Sequence, residues 1–325
     1  MSRELQRYHN WLEKEIAVQK YGRRPSSLYD PISYLMQLGG KRLRPMLTLL
    51  SYSLFKSDVR SIVPMAVAVE AFHNFTLMHD DIMDKAPLRR GKATVHEKWN
   101  VNTAILSGDV MLVKVYDMLL RVEGSKMKTV LAAFNRCAAE VCEGQQWDME
   151  FETNNDVTEQ EYIGMIRQKT AVLLGFSLQF GAMLAGTSTA NQKALKEFGT
   201  NIGIGFQLKD DLLDAYADPG KFGKQVGGDI LANKKTYLLI QALHRATGGT
   251  RSALMHWLEA KKYRKGEKIE AIKRIYDSLK IPAMTEKKIN HYFNKGFRTL
   301  DDVRADPTKK QMLRQYAEAL IGRQQ

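Results

Sequence analysis

Apolar residues recur along most of the chain at the three- and four-residue spacing of helices that bury one face. Runs that alternate apolar and polar residues, as half-buried strands do, are not convincing anywhere in the sequence. The pattern therefore predicts an all-α fold. The clearest helical stretches are residues 62–84, 102–122, 128–151 and 191–217.

One segment, from Thr170 to Gln192, carries no charged residue and resembles a membrane span at first sight. It contains Ser177, Gln179 and several glycines, so its apolar part is shorter than the roughly 20 residues that a bilayer requires. We therefore predict a helix that is buried on all sides, and no transmembrane segment.

The chain has 325 residues, only eight of them proline, and no Pro- or Ser-rich linker. We therefore predict one large helical domain over residues 1–325. The two cysteines, Cys137 and Cys142, have no His or Cys cluster nearby, which excludes a zinc site or a disulfide framework and favours a reducing cytoplasm. The first residues carry charges where a signal peptide needs an apolar stretch.

The formal net charge is +13, from 49 Lys and Arg against 36 Asp and Glu. Such an excess suits a polyanionic partner, whether nucleic acid, an anionic membrane or a phosphorylated substrate. A solvated basic surface explains the excess equally well, so charge alone does not choose a function.

Two clusters of aspartate follow apolar helical stretches, about 130 residues apart in the chain. Each has the pattern DDxxD, and its outer members lie four residues apart on one helix face, where like charges repel. A bound hard cation offsets this repulsion, and carboxylate oxygens are ligands that Mg²⁺ prefers. One such motif is weak support for a metal site, whereas two, each followed by a basic glycine-containing loop, are stronger. The clusters are Asp80, Asp81 and Asp84, and Asp210, Asp211 and Asp214.

Basic residues accompany these carboxylates at helix ends and in glycine-containing loops. Such positions suit the binding of phosphate by Arg forks and Lys point charges, although each residue taken singly is more often a surface charge. The segments are Gly40-Lys41-Arg42-Leu43-Arg44, Arg89-Arg90-Gly91 and Gly223-Lys224.

With these motifs together, the sequence resembles the all-trans polyprenyl (isoprenyl) diphosphate synthases. The resemblance runs from about residue 30 to residue 240 and implies an isoprenoid synthase fold, a helical bundle around a central cavity. It also implies a homodimer and three Mg²⁺ ions. The matching blocks are GGKRLRP, HDDIMDKAPLRRG, Lys169-Thr170, GFQLKDDLLD and GKQVGGDILANKKTY.

The resemblance also implies roles for individual residues. Metal ligands would be Asp80, Asp84 and Asp210, supported by Asp81, Asp211 and Asp214. The allylic diphosphate would be bound by Arg89, Lys169, Lys224 and Lys234. Isopentenyl diphosphate would be bound by Lys41, Arg44, His73 and Arg90. Lys169, Thr170 and Gln207 would be the catalytic residues, with the oxygen dipoles of Thr170 and Gln207 facing the allylic cation that forms when the diphosphate leaves. Gln145 would face the same cavity.

The implied reaction joins isopentenyl diphosphate head to tail with dimethylallyl, geranyl or farnesyl diphosphate. Family members limit the product with bulky residues four and five positions before the first aspartate motif, which are Thr76 and Phe75 here. One aromatic and one small residue indicate a short product. We expect the C20 product geranylgeranyl diphosphate, with the C15 farnesyl diphosphate or a longer chain as alternatives.

Three other functions compete with this hypothesis. A class I terpene cyclase usually replaces the second aspartate motif with an Asn/Ser/Glu-type triad, whereas the motif at Asp210 is intact. A non-catalytic synthase subunit tends to lose the aspartate motifs, and both are complete here. A nucleic-acid-binding protein explains the net charge but not six clustered carboxylates, so we expect no nucleic-acid partner.

Overall fold

The computed structural model describes residues 2–154, 156–217 and 226–322, which are helical almost throughout. The prediction of an all-α fold is confirmed. The helices are α1 (Arg3–Val18), α2 (Ser26–Gln37), α3 (Leu43–Ser53), α4 (Val63–Met83), α5 (Val95–Lys98), α6 (Val101–Leu119), α7 (Gly124–Thr153), α8 (Glu159–Ile166), α9 (Val172–Ala185), α10 (Thr189–Tyr216), α11 (Gly228–Leu231), α12 (Tyr237–Arg245), α13 (Gly248–Glu259), α14 (Lys265–Ser278), α15 (Ile281–Asp301) and α16 (Pro307–Ile321). A 3₁₀ turn (Val59–Ile62), a π-helical turn (Arg167–Ala171) and the short strands β1 (Leu88–Arg89) and β2 (Lys92–Ala93) are also formed.

The chain forms two compact units, each assembled from separate stretches of sequence. The prediction of a single domain over residues 1–325 stays a prediction. The first unit comprises Met1–Arg136, Phe176–Leu195 and Arg304–Leu313. The second unit comprises Cys137–Gly175, Lys196–Val303 and Arg314–Gln325.

In the first unit, α4 packs along α6 and also contacts α1 and α3. Its side chains are apolar on almost every face, so the helix is buried from several sides. Phe72 is fully buried and contacts Phe134 edge-on, with ring centroids 5.1 Å apart. Burial of such a ring contributes about 1.5–3 kcal/mol. The helix that ends in the first aspartate motif is therefore fixed by the core.

A separate hydrophobic core holds the second unit together around α12 and α14. Its members include Leu238, Leu239, Leu254, Ile272 and Tyr276, all nearly inaccessible to solvent. Helices of the C-terminal part of the chain supply much of this core.

The segment from Val59 to Met83 is long and apolar enough for a membrane span by length and composition alone. A core helix passes the same test, and 61% of its most apolar window is buried within the protein. The uncharged segment that we singled out instead, Thr170 to Gln192, contains α9, which is buried on all sides except at the half-buried Gln179. The prediction of a buried helix in this segment is confirmed for α9.

Candidate active site

The first aspartate motif lies in the last turn of α4. The helix ends at Met83, and Asp84 is its C-terminal cap, donating its backbone N–H to the carbonyl of Asp80. Arg89 holds the middle carboxylate, with its Nη2 2.6 Å from Asp81 Oδ1 and 3.7 Å from Asp80 Oδ2. Burial raises the pKa of Asp81, although the bond from Arg89 opposes this shift. Arg89 therefore offsets part of the repulsion among the three acids.

A two-residue hairpin orients the neighbouring arginines. Strands β1 and β2 pair antiparallel, with Arg89 opposite Lys92. The two turn residues, Arg90 and Gly91, both have positive φ, as a type I′ turn requires. Arg89 is thereby directed to the carboxylates of α4, and Arg90 follows it in the turn.

The residues predicted to bind isopentenyl diphosphate all belong to the first unit. Arg90 donates from Nη1 to the carbonyl of Gly39. Its guanidinium lies close to Gly40, whose φ of +140° is a backbone conformation that side chains rarely adopt. A Cβ there would be 2.9 Å from Arg90 Cζ, so a larger residue would be strained and would displace the guanidinium. Arg44 lies in the first turn of α3, and Lys41 is exposed in the preceding loop.

His73, on α4, faces these arginines. Burial and, next, the charge of Arg44 hold the pKa of His73 well below its usual range, and Arg90 and Arg89 act in the same direction. The imidazole is therefore neutral near pH 7. The positive charges of these arginines repel one another, and a bound anion would reduce this repulsion while accepting hydrogen bonds from them and from His73.

Arg42 is turned away from this surface, contrary to its grouping with the phosphate-binding candidates. It is 2% exposed and in the left-handed backbone region. Its guanidinium donates to Glu13, Glu70 and the carbonyl of Met36 at 2.8–2.9 Å. Arg42 donates these three hydrogen bonds inside the protein and is therefore a structural residue, although it stands between Lys41 and Arg44 in the sequence.

The second aspartate motif lies near the end of α10, in the second unit. Asp211 is buried and accepts hydrogen bonds from Tyr162 Oη and, at 3.0 Å, from Gln207 Nε2. Thr170 Oγ1 donates to Gln207 Oε1 at 3.1 Å. Burial raises the pKa of Asp211 to about 8, with a further contribution from the charge of Asp229, against the lowering effect of the Tyr162 and Gln207 bonds. Of the two residues predicted to face the allylic cation, Gln207 is therefore bonded to the motif directly, and Thr170 is connected to it through Gln207.

Asp214 organises the segment that follows. Its Oδ2 accepts the backbone N–H of Asp229 at 2.9 Å, and its carbonyl accepts that of Gly227 at 2.6 Å. From the other side, the buried Lys268 of α14 donates to Asn233 Oδ1 at 2.7 Å. The C-terminal helices, for which the sequence offered no role, therefore support the segment that carries Lys234.

Lys169 and Lys234 share one carboxylate partner, Asp148. The distances from their Nζ atoms to Asp148 Oδ2 are 2.6 and 3.6 Å. Burial raises the pKa of Asp148, but Lys234 and Lys169 together hold it below its usual value. Close packing creates this arrangement, because a Cβ at Gly144 would lie 2.2 Å from the backbone nitrogen of Lys169.

Gln145 lies on α7 near this lysine pair in sequence. Its Nε2 is buried and has no hydrogen-bond partner in the described part of the chain. A buried donor without a partner is costly, which is consistent with the expectation that Gln145 faces a ligand. Lys224, the remaining residue predicted for the allylic diphosphate, lies outside the described residues.

The carboxylate motifs suit Mg²⁺ by their chemistry. Their donors are oxygens only, and Asp80 and Asp84, like Asp210 and Asp214, are four residues apart on one helix. Among residues 2–154, 156–217 and 226–322, no three His, Cys, Asp or Glu side chains form a metal cage by themselves. This fits an ion that takes one or two carboxylates and completes its shell with water and phosphate oxygens.

The two residues predicted to limit product length lie one turn above the first motif. Phe75 is 8% exposed and contacts His79 edge-on, with ring centroids 4.8 Å apart. Thr76 is half-buried, and its Oγ1 donates to the carbonyl of His73. Other large apolar side chains of α4 and α9 are buried as well: Phe72, Met78, Phe176, Phe180 and Met183.

Three supporting residues escaped the sequence analysis: Asp148, Tyr162 and Lys268. Asp148 ends the EGQQWD segment, and Tyr162 lies seven residues before Lys169. Helical periodicity indicates on which side of its helix each of these two residues lies. It does not identify their partners, because the partners lie in other helices. Lys268 carried no signal, since it is one of many lysines in a basic stretch.

An all-α fold with two aspartate-bearing helix ends, each accompanied by arginine or lysine, defines the class of helical prenyltransferases. The chain belongs to the polyprenyl synthetase family, which matches it over residues 25–278. The geranylgeranyl diphosphate synthase of Methanosarcina mazei is 39% identical over 307 residues, or 93% of this chain and 91% of that protein. The geranylfarnesyl diphosphate synthase of Natronomonas pharaonis is 38% identical over 250 residues, or 71% of this chain and 72% of that protein.

Solved structures agree with the sequence comparison. The crystal structure of a geranylgeranyl pyrophosphate synthase superposes with a TM-score of 0.92 at 40% identity, covering 99% of each chain. The prediction of an isoprenoid synthase fold is thus confirmed, and the protein is a prenyltransferase of isoprenoid biosynthesis. Synthases of this family are in general Mg²⁺-dependent.

Proposed function

We propose that the protein condenses isopentenyl diphosphate head to tail with an allylic diphosphate and releases a short all-trans prenyl diphosphate. The observation that carries the proposal is the pairing of acid and base within each compact unit. Arg89 accompanies Asp80 and Asp81 in the first unit, and the charge of Lys234 acts on Asp211 in the second. A diphosphate with bound metal ions requires carboxylates to bind the metal ions, and lysine or arginine side chains to bind the phosphate oxygens.

Isopentenyl diphosphate is bound by Lys41, Arg44, His73 and Arg90 in this proposal. The arginines that depress the pKa of His73 provide an electropositive pocket without a metal. Neutral His73 contributes a ring N–H donor rather than a charge. The substrate's diphosphate anchors it while its double bond stays free to react.

The allylic diphosphate is bound by Arg89, Lys169, Lys224 and Lys234, together with both aspartate motifs. Lys169 and Lys234 exchange Asp148 for phosphate oxygens when the substrate arrives. Three Mg²⁺ ions would be held by Asp80, Asp84 and Asp210, with Asp81, Asp211 and Asp214 in support. When bound, they supply electrostatic stabilisation of the departing diphosphate.

The reaction begins when the allylic C–O bond breaks and the diphosphate leaves with the electron pair. Oxygen atoms of Thr170 and Gln207 stabilise the resulting allylic cation, as fixed dipoles do in a water-poor site. The isopentenyl double bond attacks the cation, a C–C bond forms, and the departed diphosphate takes the proton that regenerates the alkene. Because the cation reacts with water, the buried aromatic side chains also protect it.

An assay with isopentenyl diphosphate and farnesyl, geranyl or dimethylallyl diphosphate, with and without Mg²⁺, tests the proposed function. We expect radiolabelled prenyl diphosphate only when Mg²⁺ is present, with chromatography of the dephosphorylated products giving chain length. Formation of a cyclic hydrocarbon would indicate a terpene cyclase instead. The absence of any product would favour a non-catalytic subunit.

We infer that the main product is geranylgeranyl diphosphate, with farnesyl diphosphate or a longer chain as the alternatives. Phe75 supports a short product because its ring is held in place by His79 and Phe72, at centroid distances of 4.8 and 5.7 Å. A held aromatic ring resists displacement by a growing chain. Thr76, next to it, is too small to block the chain.

Replacing Phe75 by alanine should lengthen the product by at least one isoprene unit. The truncation removes the ring that we place at the far end of the growing prenyl chain. It also costs about 3–5 kcal/mol of the free energy of unfolding. Mass spectrometry of the products measures the shift. Phe198→Ala, a similarly buried ring in the second unit, controls for destabilisation and should leave product length unchanged. An unaltered product from Phe75→Ala would show that Phe75 does not limit the chain.

We propose that the enzyme is a homodimer joined through α6. Leu106 and Val113 of this helix and its C-terminal cap, Leu120, are exposed; they are spaced by seven residues and so lie along one side. Exposed apolar stripes of this kind usually mark an interface. Sedimentation velocity should give twice the chain mass, and a monomer at micromolar concentration would refute the dimer.

We propose further that residues 1–325 form one catalytic domain.

We also propose that the enzyme acts in the cytoplasm. Two free thiols, Cys137 and Cys142, are consistent with a reducing compartment. Fractionation of cells, followed by immunodetection, would test this location.

A further inference from the structure

Tyr162 is joined to the second aspartate motif by a buried hydrogen bond. Its hydroxyl donates to Asp211 Oδ2, and both residues are largely inaccessible to solvent, at 2% and 7% exposure. Tyr162 lies on α8, whose start is fixed by a capping box between Thr158 and Glu161. The hydroxyl therefore approaches Asp211 from a rigid helix.

The other oxygen of Asp211 is occupied by Gln207. Gln207 Nε2 donates to Asp211 Oδ1 at 3.0 Å, and its Oε1 accepts from Thr170 Oγ1 at 3.1 Å. The amide thus has its nitrogen on the Asp211 side and its oxygen on the Thr170 side. Rotating the amide by half a turn would place Oε1 against the carboxylate and lose the bond to Asp211, whereas Thr170 Oγ1 could still accept a bond from Nε2.

The direction of this amide matters for the reaction. An oxygen dipole beside a developing allylic cation stabilises it, whereas an N–H donor in the same place repels it. Gln207 has two flexible side-chain bonds beyond Cβ, so its orientation must be set by neighbours. Asp211 is the neighbour that sets it, and Tyr162 holds Asp211.

We propose that Tyr162 is a positioning residue that acts through Asp211 to keep the Gln207 oxygen on the cation side of its amide. On this view Asp211 serves mainly to orient Gln207 rather than to bind metal, because both its oxygens accept bonds from the protein. The inference rests on the proposed function, and it adds a residue to which the sequence motifs assign no role.

A double-mutant cycle tests the proposal. Tyr162→Phe should lower kcat about tenfold, as a small misplacement of a catalytic group does, and change KM for either diphosphate less than twofold. In a Gln207→Ala background the same substitution should change kcat less than about twofold, because its effect passes through Gln207. Equal losses in both backgrounds would overturn the proposal.

Tyr237→Phe is the matched control. Tyr237 is also buried, and its ring centroid is 6.4 Å from that of Tyr162. Loss of its hydroxyl should leave kcat unchanged if Tyr162 acts through its own bond to Asp211. The Mg²⁺ concentration for half-maximal rate should also stay the same in Tyr162→Phe. A several-fold increase would show that Asp211 serves the metal, which contradicts the proposal.

A readout that needs no turnover separates this inference from the proposed function. The side-chain amide signals of Gln207 in a ¹⁵N NMR spectrum are identified by their disappearance in Gln207→Ala. They should shift and exchange faster with water in Tyr162→Phe but not in Tyr237→Phe. Unaltered signals would overturn the positioning role even in an active enzyme. Shifted signals in a protein without synthase activity would instead refute only the reaction.

Discussion

Asp80→Ala and Asp210→Ala should each reduce turnover about a thousandfold or more, since loss of a charge-stabilising ligand costs several kcal/mol and each 1.36 kcal/mol is a factor of ten. Their circular dichroism should remain helical. Both residues lie near helix ends beside like charges four residues away, so their removal relieves repulsion rather than breaking the core. Steady-state rates at saturating substrates and Mg²⁺ provide the measurement.

Control substitutions distinguish metal binding from a general effect of charge. Asp30 on α2 and Asp302 after α15 are exposed, one in each compact unit. Alanine at either position should leave turnover within about twofold, as surface substitutions usually do. Turnover above about a tenth of the wild-type rate in Asp80→Ala or Asp210→Ala would contradict the metal assignment.

Combining the two aspartate substitutions asks whether both motifs act on one diphosphate. When two groups act as a unit, the effects of removing them on the rate are strongly non-additive. The double variant should therefore be hardly slower than the slower of the two single variants. Multiplication of the two effects would indicate independent sites. This outcome would remove the main premise of the proposed mechanism while leaving the family assignment intact.

Helical periodicity predicted the fold well because almost every core element is amphipathic or wholly apolar. The end of α4 within the first aspartate motif and the burial of α9 both followed from pattern alone. Periodicity did not predict the π-helical turn Arg167–Ala171, which carries Lys169 and Thr170. Such a turn depends on how neighbouring helices pack, as the close approach at Gly144 illustrates.

The candidate site was predicted less completely, and the reason is similar. A motif names residues that meet the substrate, but it does not name the buried groups that hold them. Asp148 and Tyr162 gain their roles only from contacts with Lys169 and Asp211, which lie on other helices. Conversely, the motif grouped Arg42 with phosphate-binding residues, although its side chain is buried.

The structural role of Arg42 predicts a large loss of stability on its removal. Arg42→Met should lower the free energy of unfolding by about 3–5 kcal/mol, because Glu70 is then left as a buried charge without its partner. The side chains of Arg42 and Glu70 are only 1% and 3% exposed, so water cannot replace the lost bonds. Urea denaturation followed by circular dichroism measures the change.

A second substitution shows whether the buried charge is the cause. Adding Glu70→Leu to Arg42→Met should restore much of the lost stability, since apolar replacement of a buried ion pair is often neutral or better. Arg7→Met, which removes an exposed guanidinium 3.7 Å from the half-buried Glu4, should cost at most about 1 kcal/mol. If Arg42→Met costs no more than Arg7→Met, the guanidinium is not a structural anchor. In that case it must be counted again among the candidates for phosphate binding beside Lys41.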